Sequence, residues 1–417
     1  MGGSAFSSGS DPLYTPRMPP AVYTQTRKYC HDILRRHFIH VATPIEAPAK
    51  KDYGDVDILV ACPINALGDV DIRPTDPTKL YDGQNTMEVI RKALGAIRLV
   101  SSNASANFAL PWPSGEVIPD NESANKEAYI QVDLHVCRDE QRFDWEMFFQ
   151  AHGDLMSILG STIRKYGLKI GSVGLSLRIE EIELIDHKKS LITLTKLPNE
   201  VLEFLGLDSK RWWNKFESVE EMFEYAAGCR FFWVKDEAKD EAKDEANDEI
   251  KDEAKDETEG EAKGEGKDEA KSTKMLNHSD RKRLTKRPVY RKWIEEFIPQ
   301  CRSNGRFNRE VPSRQQVKVE AFDRFNVADD YNTTLDTWKR TRQKDEILRN
   351  IKNRIPIEGV GSNLRGATIR GLKAILEGDD RVIPPNPLKL ADGFYDEKEV
   401  YDFVEGNWKT VGHAYLN

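Results

Sequence analysis

The sequence contains few cysteines, and none is arranged as in a zinc motif or a disulfide framework. Its five cysteines are scattered along 417 residues, at Cys30, Cys62, Cys137, Cys229 and Cys301. No CxxC pair occurs, and no histidine stands at the spacing of a zinc motif. This usage is typical of reduced thiols inside a cell. We therefore expect a cytoplasmic or nuclear protein.

Long hydrophobic runs are also missing. No apolar stretch approaches the roughly 20 residues that span a bilayer, and the N-terminus lacks a signal-peptide core. The start Met1-Gly2 would suit N-myristoylation, but Phe6 stands where serine or threonine is required. We therefore expect a soluble protein with no membrane partner. The sequence does not predict its oligomeric state.

The acidic net charge comes from one low-complexity segment. Residues 235–271 hold 17 acidic and 8 basic residues, in a Lys-Asp-Glu-Ala unit that recurs every four residues. Because it has no apolar stripe, we interpret residues 235–274 as a charged insert outside any core. Residues 274–354 reverse the balance, with 21 basic and 11 acidic residues. That excess suits the phosphates of a nucleotide, RNA or DNA, and a solvated helical surface is the alternative.

Hydrophobic periodicity predicts mixed strands and helices before the insert and helices after it. The expected strands are 53–61, 97–100, 107–110, 129–137, 174–179 and 183–185. The expected helices are 23–37, 86–94, 145–166, 289–301, 314–325, 331–355 and 367–376. This order favours an α+β fold, a mixed sheet flanked by helices followed by an α-helical domain. The predicted organisation is a flexible N-terminus at 1–22, an α+β domain at 23–195 and a helical domain at 196–234 and 275–417, which the insert interrupts.

Three aspartates on two expected strands form the main candidate site. Asp55 and Asp57 are two residues apart on one strand, so their carboxylates share a face of the sheet. Asp133 lies on the polar side of the strand 129–137, whose alternate residues are apolar. Three converging carboxylates suit Mg²⁺, with Mn²⁺ possible, because these ions prefer oxygen ligands and bridge to substrate phosphates. The sequence therefore predicts a two-metal site.

These residues also carry a resemblance. Gly54-Asp55-Val56-Asp57-Ile58-Leu59-Val60, followed by Val132-Asp133-Leu134, resembles the nucleotidyltransferase superfamily of DNA polymerase β over roughly residues 40–190. The resemblance implies transfer of a nucleoside monophosphate from a nucleoside triphosphate to an acceptor, with a nucleic-acid 3′ end slightly favoured. It implies that Asp55 and Asp57 hold both metal ions. Asp133 would bind the catalytic ion and help deprotonate the acceptor hydroxyl.

The phosphate-binding part of that family pattern is displaced. Members carry Gly-Ser about ten residues before the aspartate pair, where this chain reads Ile-Glu-Ala-Pro-Ala-Lys-Lys at 45–51. The candidates here are Gly54, whose missing side chain lets the backbone approach a phosphate, and the lysines Lys50 and Lys51. Gly3-Ser4 could serve if the N-terminus folds back. The alternative to an enzyme is an inactive scaffold of the same fold that binds nucleic acid or partner proteins.

Several other motifs have two interpretations. The second copy, Gly68-Asp69-Val70-Asp71, precedes a turn-rich stretch, so we predict a surface loop there. His135 is either a metal or nucleotide contact or a structural histidine. The remaining motifs are polar loop residues or base contacts (Asn103, Ser105, Asn107), a basic linker or nuclear-localisation cluster (281–287), a helical series facing triphosphate or water (Lys339, Arg340, Arg342, Lys344) and a tryptophan pair expected in the core (Trp212, Trp213).

Overall fold

The computed structural model describes residues 3–8, 10–64, 83–102, 104–119, 127–234 and 284–416. Four sequence predictions fall on residues outside these ranges: the second Asp-x-Asp copy, Asn103, the charged insert and the first three residues of the basic cluster. The chain forms two compact units, residues 1–177 with 193–320, and residues 178–192 with 321–417. The domain boundaries drawn from the sequence stay a prediction. No helix among the described residues is both long and apolar enough to span a membrane.

A five-stranded mixed sheet organises the first unit, which confirms the predicted mixed sheet flanked by helices. Its strand order is β1-β2-β5-β4-β3. The bounds are β1 Phe38–Ala42, β2 Asp55–Pro63, β3 Arg98–Ser102, β4 Ser105–Pro111 and β5 Tyr129–Val136. β2 and β5 run parallel, while the pairs β1–β2, β3–β4 and β4–β5 are antiparallel. The two strands that carry the candidate aspartates are therefore neighbours.

One face of this sheet forms the core. Alternate residues of β2, among them Val56, Ile58 and Val60, are fully buried, and so are their counterparts on β5. They pack in one cluster with residues of α1 (Pro20–Leu34) and α2 (Gly83–Ala93). Burying each aliphatic side chain stabilises the fold by about 1.5–3 kcal/mol. The strand period of two then places the aspartates on the opposite face.

The predicted helix at 145–166 is wrong, because the chain breaks in its middle. α3 (Glu140–Gln150) and α4 (Leu155–Ile163) are separate helices, and a short 3₁₀ turn follows α4. His152 and Gly153 between them adopt positive φ values of 59° and 63°, which no right-handed helix accommodates. The break separates α3 from α4, and Phe143 of α3 packs with Leu59 and Ala61 on the face of β2 that carries the aspartates.

A second, three-stranded sheet has the order β6-β7-β8. Its strands are β6 Leu168–Ile170, β7 Leu175–Arg178 and β8 Leu191–Thr195. The predicted strand at 183–185 is wrong, since Glu180–Glu183 forms the short helix α5. Acidic residues at 180, 181 and 183 favour a helix start, where the positive end of the helix dipole lies.

The remaining helices of the first unit follow the second sheet. They are α6 Pro198–Leu205, α7 Ser209–Trp212, α8 Val219–Ala227, α9 Pro288–Lys292 and α10 Ile298–Ser303, with one π-helical turn at Trp293–Phe297. Of the tryptophan pair, Trp212 is fully buried against Phe148, 4.7 Å between ring centroids, whereas Trp213 is 40% exposed. The core interpretation therefore holds for Trp212 alone.

The C-terminal region is helical, as the sequence predicts. Its elements are α11 Arg314–Phe325, α12 Ala328–Arg354, α13 Ser362–Glu377 and α14 Glu397–Ala414. The last helix was not predicted. Asp396 caps it by accepting a hydrogen bond from the Glu399 amide. Apolar residues of α12, α13 and α14 form a hydrophobic cluster within the second unit.

Candidate active site

The strand register brings the three predicted aspartates together on one face. Asp57 of β2 lies directly opposite Asp133 of β5, and Asp55 lies opposite Gln131. Neighbouring strands are about 4.8 Å apart, so the backbones under Asp57 and Asp133 are at hydrogen-bonding separation. We call Asp55, Asp57 and Asp133 the carboxylate row. Its members come from strands that lie far apart in sequence and meet only through the parallel pairing.

Two amide side chains hold the Asp133 carboxylate. Gln131 Nε2 donates to Asp133 Oδ1 at 2.8 Å, and Asn107 Nδ2 donates to the same oxygen. Asn107 of β4 lies directly opposite Asp133. The pairing of β5 with both of its neighbours therefore sets the position of Asp133. One Asp133 oxygen is thereby occupied and oriented.

The electrostatics of the row are those of crowded like charges. The pKa of Asp57 is raised to about 7, mainly by desolvation and in addition by the negative charges of Asp55 and Asp133. The residue as a whole stays exposed, so it can exchange protons and ligands with solvent. Desolvation also raises the pKa of Asp133, against the opposing effect of hydrogen bonds from Gln131 and Asn107. The row would gain from a cation that neutralises it.

The N-terminal segment folds back onto the row. The Gly3 amide donates to Asp55 Oδ2 at 3.0 Å, and the Ala5 amide donates to Gln131 Oε1 at 2.8 Å. Buried Phe6, 2% exposed, anchors the turn. A Cβ on Gly3, whose φ is +84°, would stand 2.3 Å from the Gly54 carbonyl oxygen, so only glycine allows this approach. Gly3-Ser4 thus reaches the aspartates across about fifty residues of sequence.

The two predicted phosphate-binding lysines have different surroundings. Lys50 pairs with Glu46 and lies over the Tyr53 ring, 5.4 Å from its centroid. Its charge is close enough to lower the pKa of Asp57, against the larger effects that raise it. Lys51 is exposed. Both lysines are therefore at the surface, and Lys50 is near enough to Asp57 to act on it electrostatically.

Other predicted candidates occupy definite places. His135 Nδ1 and Ser105 Oγ lie 2.8 Å apart on the face that carries Asp133. From the basic cluster, Arg287 pairs with Asp154 at 2.9 Å. The basic series at 339–344 lies on α12 of the second unit, where Lys344 pairs with Glu377.

The donor set of the row suits a divalent cation, because three carboxylates share one face and one strand register. Desolvation and the charges of Asp55 and Asp133 raise the pKa of Asp57, and a cation among the three carboxylates would lower it. In the part of the chain that the structure describes, however, no three His, Cys, Asp or Glu side chains are grouped closely enough to hold a metal ion. Asp55 and Asp133 instead turn oxygens to the Gly3 amide and to two side-chain amides.

Two neighbours of the row were not predicted. Gln131 could have been found, since it lies two residues before Asp133 and therefore on the same strand face. Glu46 accepts from Tyr23 Oη at 2.6 Å and raises the pKa of Asp57, but it lies in a loop where no pattern distinguishes it.

Similar solved structures include two of Leishmania infantum polymerase beta, a ternary gap complex and a ternary P/T complex. The first is 11% identical with a TM-score of 0.33, and covers 48% of this chain and 70% of that one. The second is 13% identical with a TM-score of 0.32, and covers 48% and 77%. No protein-family model and no curated protein matches the sequence.

Proposed function

We propose that this chain is a divalent-metal-dependent nucleotidyltransferase, which transfers a nucleoside monophosphate from a nucleoside triphosphate to an acceptor hydroxyl. One observation carries the proposal: Asp57 and Asp133 lie directly opposite each other on parallel strands, with Asp55 on the same face. A structural sheet gains nothing from placing three carboxylates together, since their repulsion costs stability. A site that binds cations and phosphates explains the arrangement.

In this proposal Asp55 and Asp57 hold two Mg²⁺ ions, with Mn²⁺ as a substitute, and Asp133 holds the catalytic one. The bound ions would supply charge neutralisation for the triphosphate and for the transferring phosphoryl group. The carboxylates have the oxygen chemistry these ions prefer. Asn107 and Gln131 position Asp133 by holding one of its oxygens.

The nucleotide side of the site is assigned to the N-terminal turn. The Gly3 amide already donates to a carboxylate oxygen, which shows that it can serve an anion. A triphosphate would compete for this donor, with the exposed Ser4 hydroxyl beside it. Gly54 lets the turn approach closely, and Lys50 and Lys51 add positive charge.

Asp133 is the proposed general base for the acceptor hydroxyl. Desolvation raises the pKa of its carboxyl, which makes it a better proton acceptor than an exposed aspartate. Its two amide donors keep one oxygen fixed. In this proposal Asn107 and Gln131 position Asp133, and Asp133 takes the proton; the two hydrogen bonds to one of its oxygens support these roles.

A catalytically inactive scaffold is the second candidate. It is favoured by the absence of a grouped three-ligand metal site among the described residues, and by the hydrogen bonds that occupy Asp133. A scaffold would use the same fold and its basic surfaces to bind nucleic acid or partner proteins. It would show no Mg²⁺-dependent nucleotide binding.

The test is incubation of the purified chain with each labelled nucleoside triphosphate, Mg²⁺ and a panel of RNA and DNA acceptors. We expect label transfer by the wild type and none by Asp133→Ala. Asp402→Ala, an exposed aspartate of α14, is the matched control and should transfer at the wild-type rate. Transfer by Asp133→Ala at the wild-type rate would refute the assignment. Titration calorimetry with Mg²⁺ and a non-hydrolysable triphosphate separates enzyme from scaffold.

A further inference from the structure

A cavity of about 380 Å³ opens beside the carboxylate row, between the end of β5 and α3. Its polar and aromatic lining comes from strand β5, the connection to helix α3, α3 itself and the residue after β8. It consists of His135, Arg138, Gln141, Arg142, Trp145 and Lys196. All these residues belong to the first unit. We call this space the cationic cavity.

The cavity carries an excess of positive charge. Arg142 is held in the wall by Glu146 and by the Ser172 carbonyl. Arg138 Nε lies 2.9 Å from Asp139, with its side chain 60% exposed. Lys196 has neither an ion pair nor a hydrogen bond to any residue that the structure describes. Arg138 and Arg142 are thus each paired with an acidic side chain, and the ammonium group of Lys196 is available for a further anion.

The cavity and the N-terminal turn lie at opposite ends of the row. Along the polar face of β5, Gln131 contacts the turn through Ala5, Asp133 belongs to the row, and His135 lines the cavity. Each step of two residues advances about 6.6 Å along a strand. The row therefore separates an amide-lined turn on one side from a cation-lined cavity on the other.

This order has a chemical consequence, which rests on the proposed function. In phosphoryl transfer the attacking and leaving oxygens lie roughly in line, on opposite sides of the phosphorus. If the triphosphate lies at the Gly3-Ser4 turn, the acceptor approaches from the cavity side. We propose that the cationic cavity binds a phosphate group of the acceptor and so presents a nearby acceptor hydroxyl to Asp133.

The proposed transfer conserves atoms and charge. The acceptor hydroxyl gives its proton to the Asp133 carboxylate, and its oxygen forms a bond to the α-phosphorus. The bond from the α-phosphorus to the α,β-bridging oxygen breaks, and pyrophosphate leaves with the electron pair. The acceptor's own phosphate stays intact on Arg138 and Lys196. A terminal nucleotide and a sugar phosphate both offer such a phosphate beside a hydroxyl.

The test measures binding without metal or nucleotide, so that it does not depend on catalysis. The probes are a fluorescent 5′-phosphorylated hexaribonucleotide and ribose 5-phosphate, each titrated in EDTA at low salt. We expect the double variant Arg138→Gln/Lys196→Gln to bind at least tenfold more weakly than the wild type. For the oligonucleotide, loss of two cations should also reduce the salt slope by about 1.4, at roughly 0.7 per phosphate contact.

Lys215→Gln is the matched control, because Lys215 is an exposed lysine of the same unit outside the cavity. It should leave both affinities unchanged. Weakening for the oligonucleotide alone would identify a nucleic-acid acceptor, and weakening for ribose 5-phosphate alone a small one. Either supports the cavity as a phosphate site. Equal binding of both probes by the double variant and the wild type, or no binding by the wild type, would overturn the proposal.

The failure of this proposal is distinguishable from failure of the proposed function. Asp133→Asn should abolish transfer and keep probe binding, since Asp133 does not line the cavity. A wild type that transfers label while the double variant binds both probes normally overturns the cavity alone. Circular dichroism checks folding, and Lys196→Gln alone, with an expected several-fold loss, replaces the double variant if that one unfolds.

Discussion

The two faces of the five-stranded sheet have opposite chemistry although they belong to the same strands. On one face Val56, Ile58 and Val132 are fully buried in the core with α1 and α2. On the other, Asp57 and Asp133 oppose each other, and the pKa of Asp57 is raised to about 7. Consecutive residues of β2 therefore have different roles. The apolar face stabilises the sheet. The opposite face is also apolar where Leu59 and Ala61 pack against Phe143, and only the carboxylate row on it costs stability unless a cation is bound.

Residues that stabilise the sheet and residues proposed to act in the chemistry are therefore adjacent in sequence. Asp57 and Ile58 are adjacent, yet substitutions at them should affect different measurements. The period of two along a strand makes this possible, because adjacent side chains point to opposite faces of the sheet. The predictions below test how complete that separation is.

The largest expected effect is on transfer activity. Asp57→Asn should lower the rate of nucleotidyl transfer roughly 1,000-fold, because metal ligation supplies several kcal/mol of stabilisation to the transition state and 1.36 kcal/mol corresponds to tenfold. Steady-state rates with labelled triphosphate measure it. The amide keeps the shape of the carboxyl, so urea unfolding of the variant in EDTA should show no loss of stability. A variant that is inactive because it is unfolded would remove the distinction between the faces.

Ile58→Ala should have the converse result. Removing this fully buried side chain should cost about 2–5 kcal/mol of unfolding free energy, from lost burial and the cavity left behind. Urea denaturation followed by circular dichroism measures the change. Transfer per folded molecule should stay near the wild-type value. The exposed Ile39→Ala on β1, 65% exposed, is the control and should change stability little.

Much of the sheet could be predicted from sequence because its strands have a clear two-residue period. The alternation at Tyr129–Val136 and the apolar end of β2 identified both strands and the face that carries the aspartates. Their parallel adjacency could not be predicted, since pairing is set by contacts between distant segments. The sequence indicates only a polar loop residue or a base contact at Asn107. The register of β4 shows that its side chain instead donates a hydrogen bond to Asp133.

The errors have local physical causes. The break between α3 and α4 depends on a left-handed backbone at His152-Gly153. In the sequence, only the glycine after His152 indicates that the helix ends there. Helix α14 was missed although Asp396 and Glu399 have the spacing of a capping box. The return of Gly3 to Asp55 could be raised only as a possibility, because closing a loop of fifty residues leaves no mark in the sequence.

A smaller effect is expected where the N-terminal turn meets the carboxylate face. Gly3→Ala should weaken binding of a triphosphate analogue about tenfold, because a Cβ there would collide with the Gly54 carbonyl and displace the turn. Fluorescence titration with Mg²⁺ measures the dissociation constant. Gly115→Ala is the matched control: its φ of +87° is similar, but nothing lies within 4 Å of its Cβ position. Equal weakening by both variants would attribute the effect to backbone strain and not to the approach to Gly54.

The last expected effect is a pH dependence that belongs to the carboxylate row, kept small because Asp57 is exposed and solvent screens the charges around it. Unfolded Asp57 titrates near 3.9, whereas desolvation and the neighbouring carboxylates raise its pKa in the folded chain to about 7. The folded state therefore binds more protons between these values, and the contribution of Asp57 to stability is present below about pH 4 and is lost as pH rises to about 7. In EDTA, unfolding free energies of the wild type should fall across this window relative to those of Asp57→Asn. Millimolar Mg²⁺ should reduce the difference at pH 7, because a cation among the carboxylates removes their repulsion. A difference between wild type and variant that does not change from pH 4 to 7 would mean that Asp57 is not crowded, and the two faces would then differ in polarity but not in their cost to the fold.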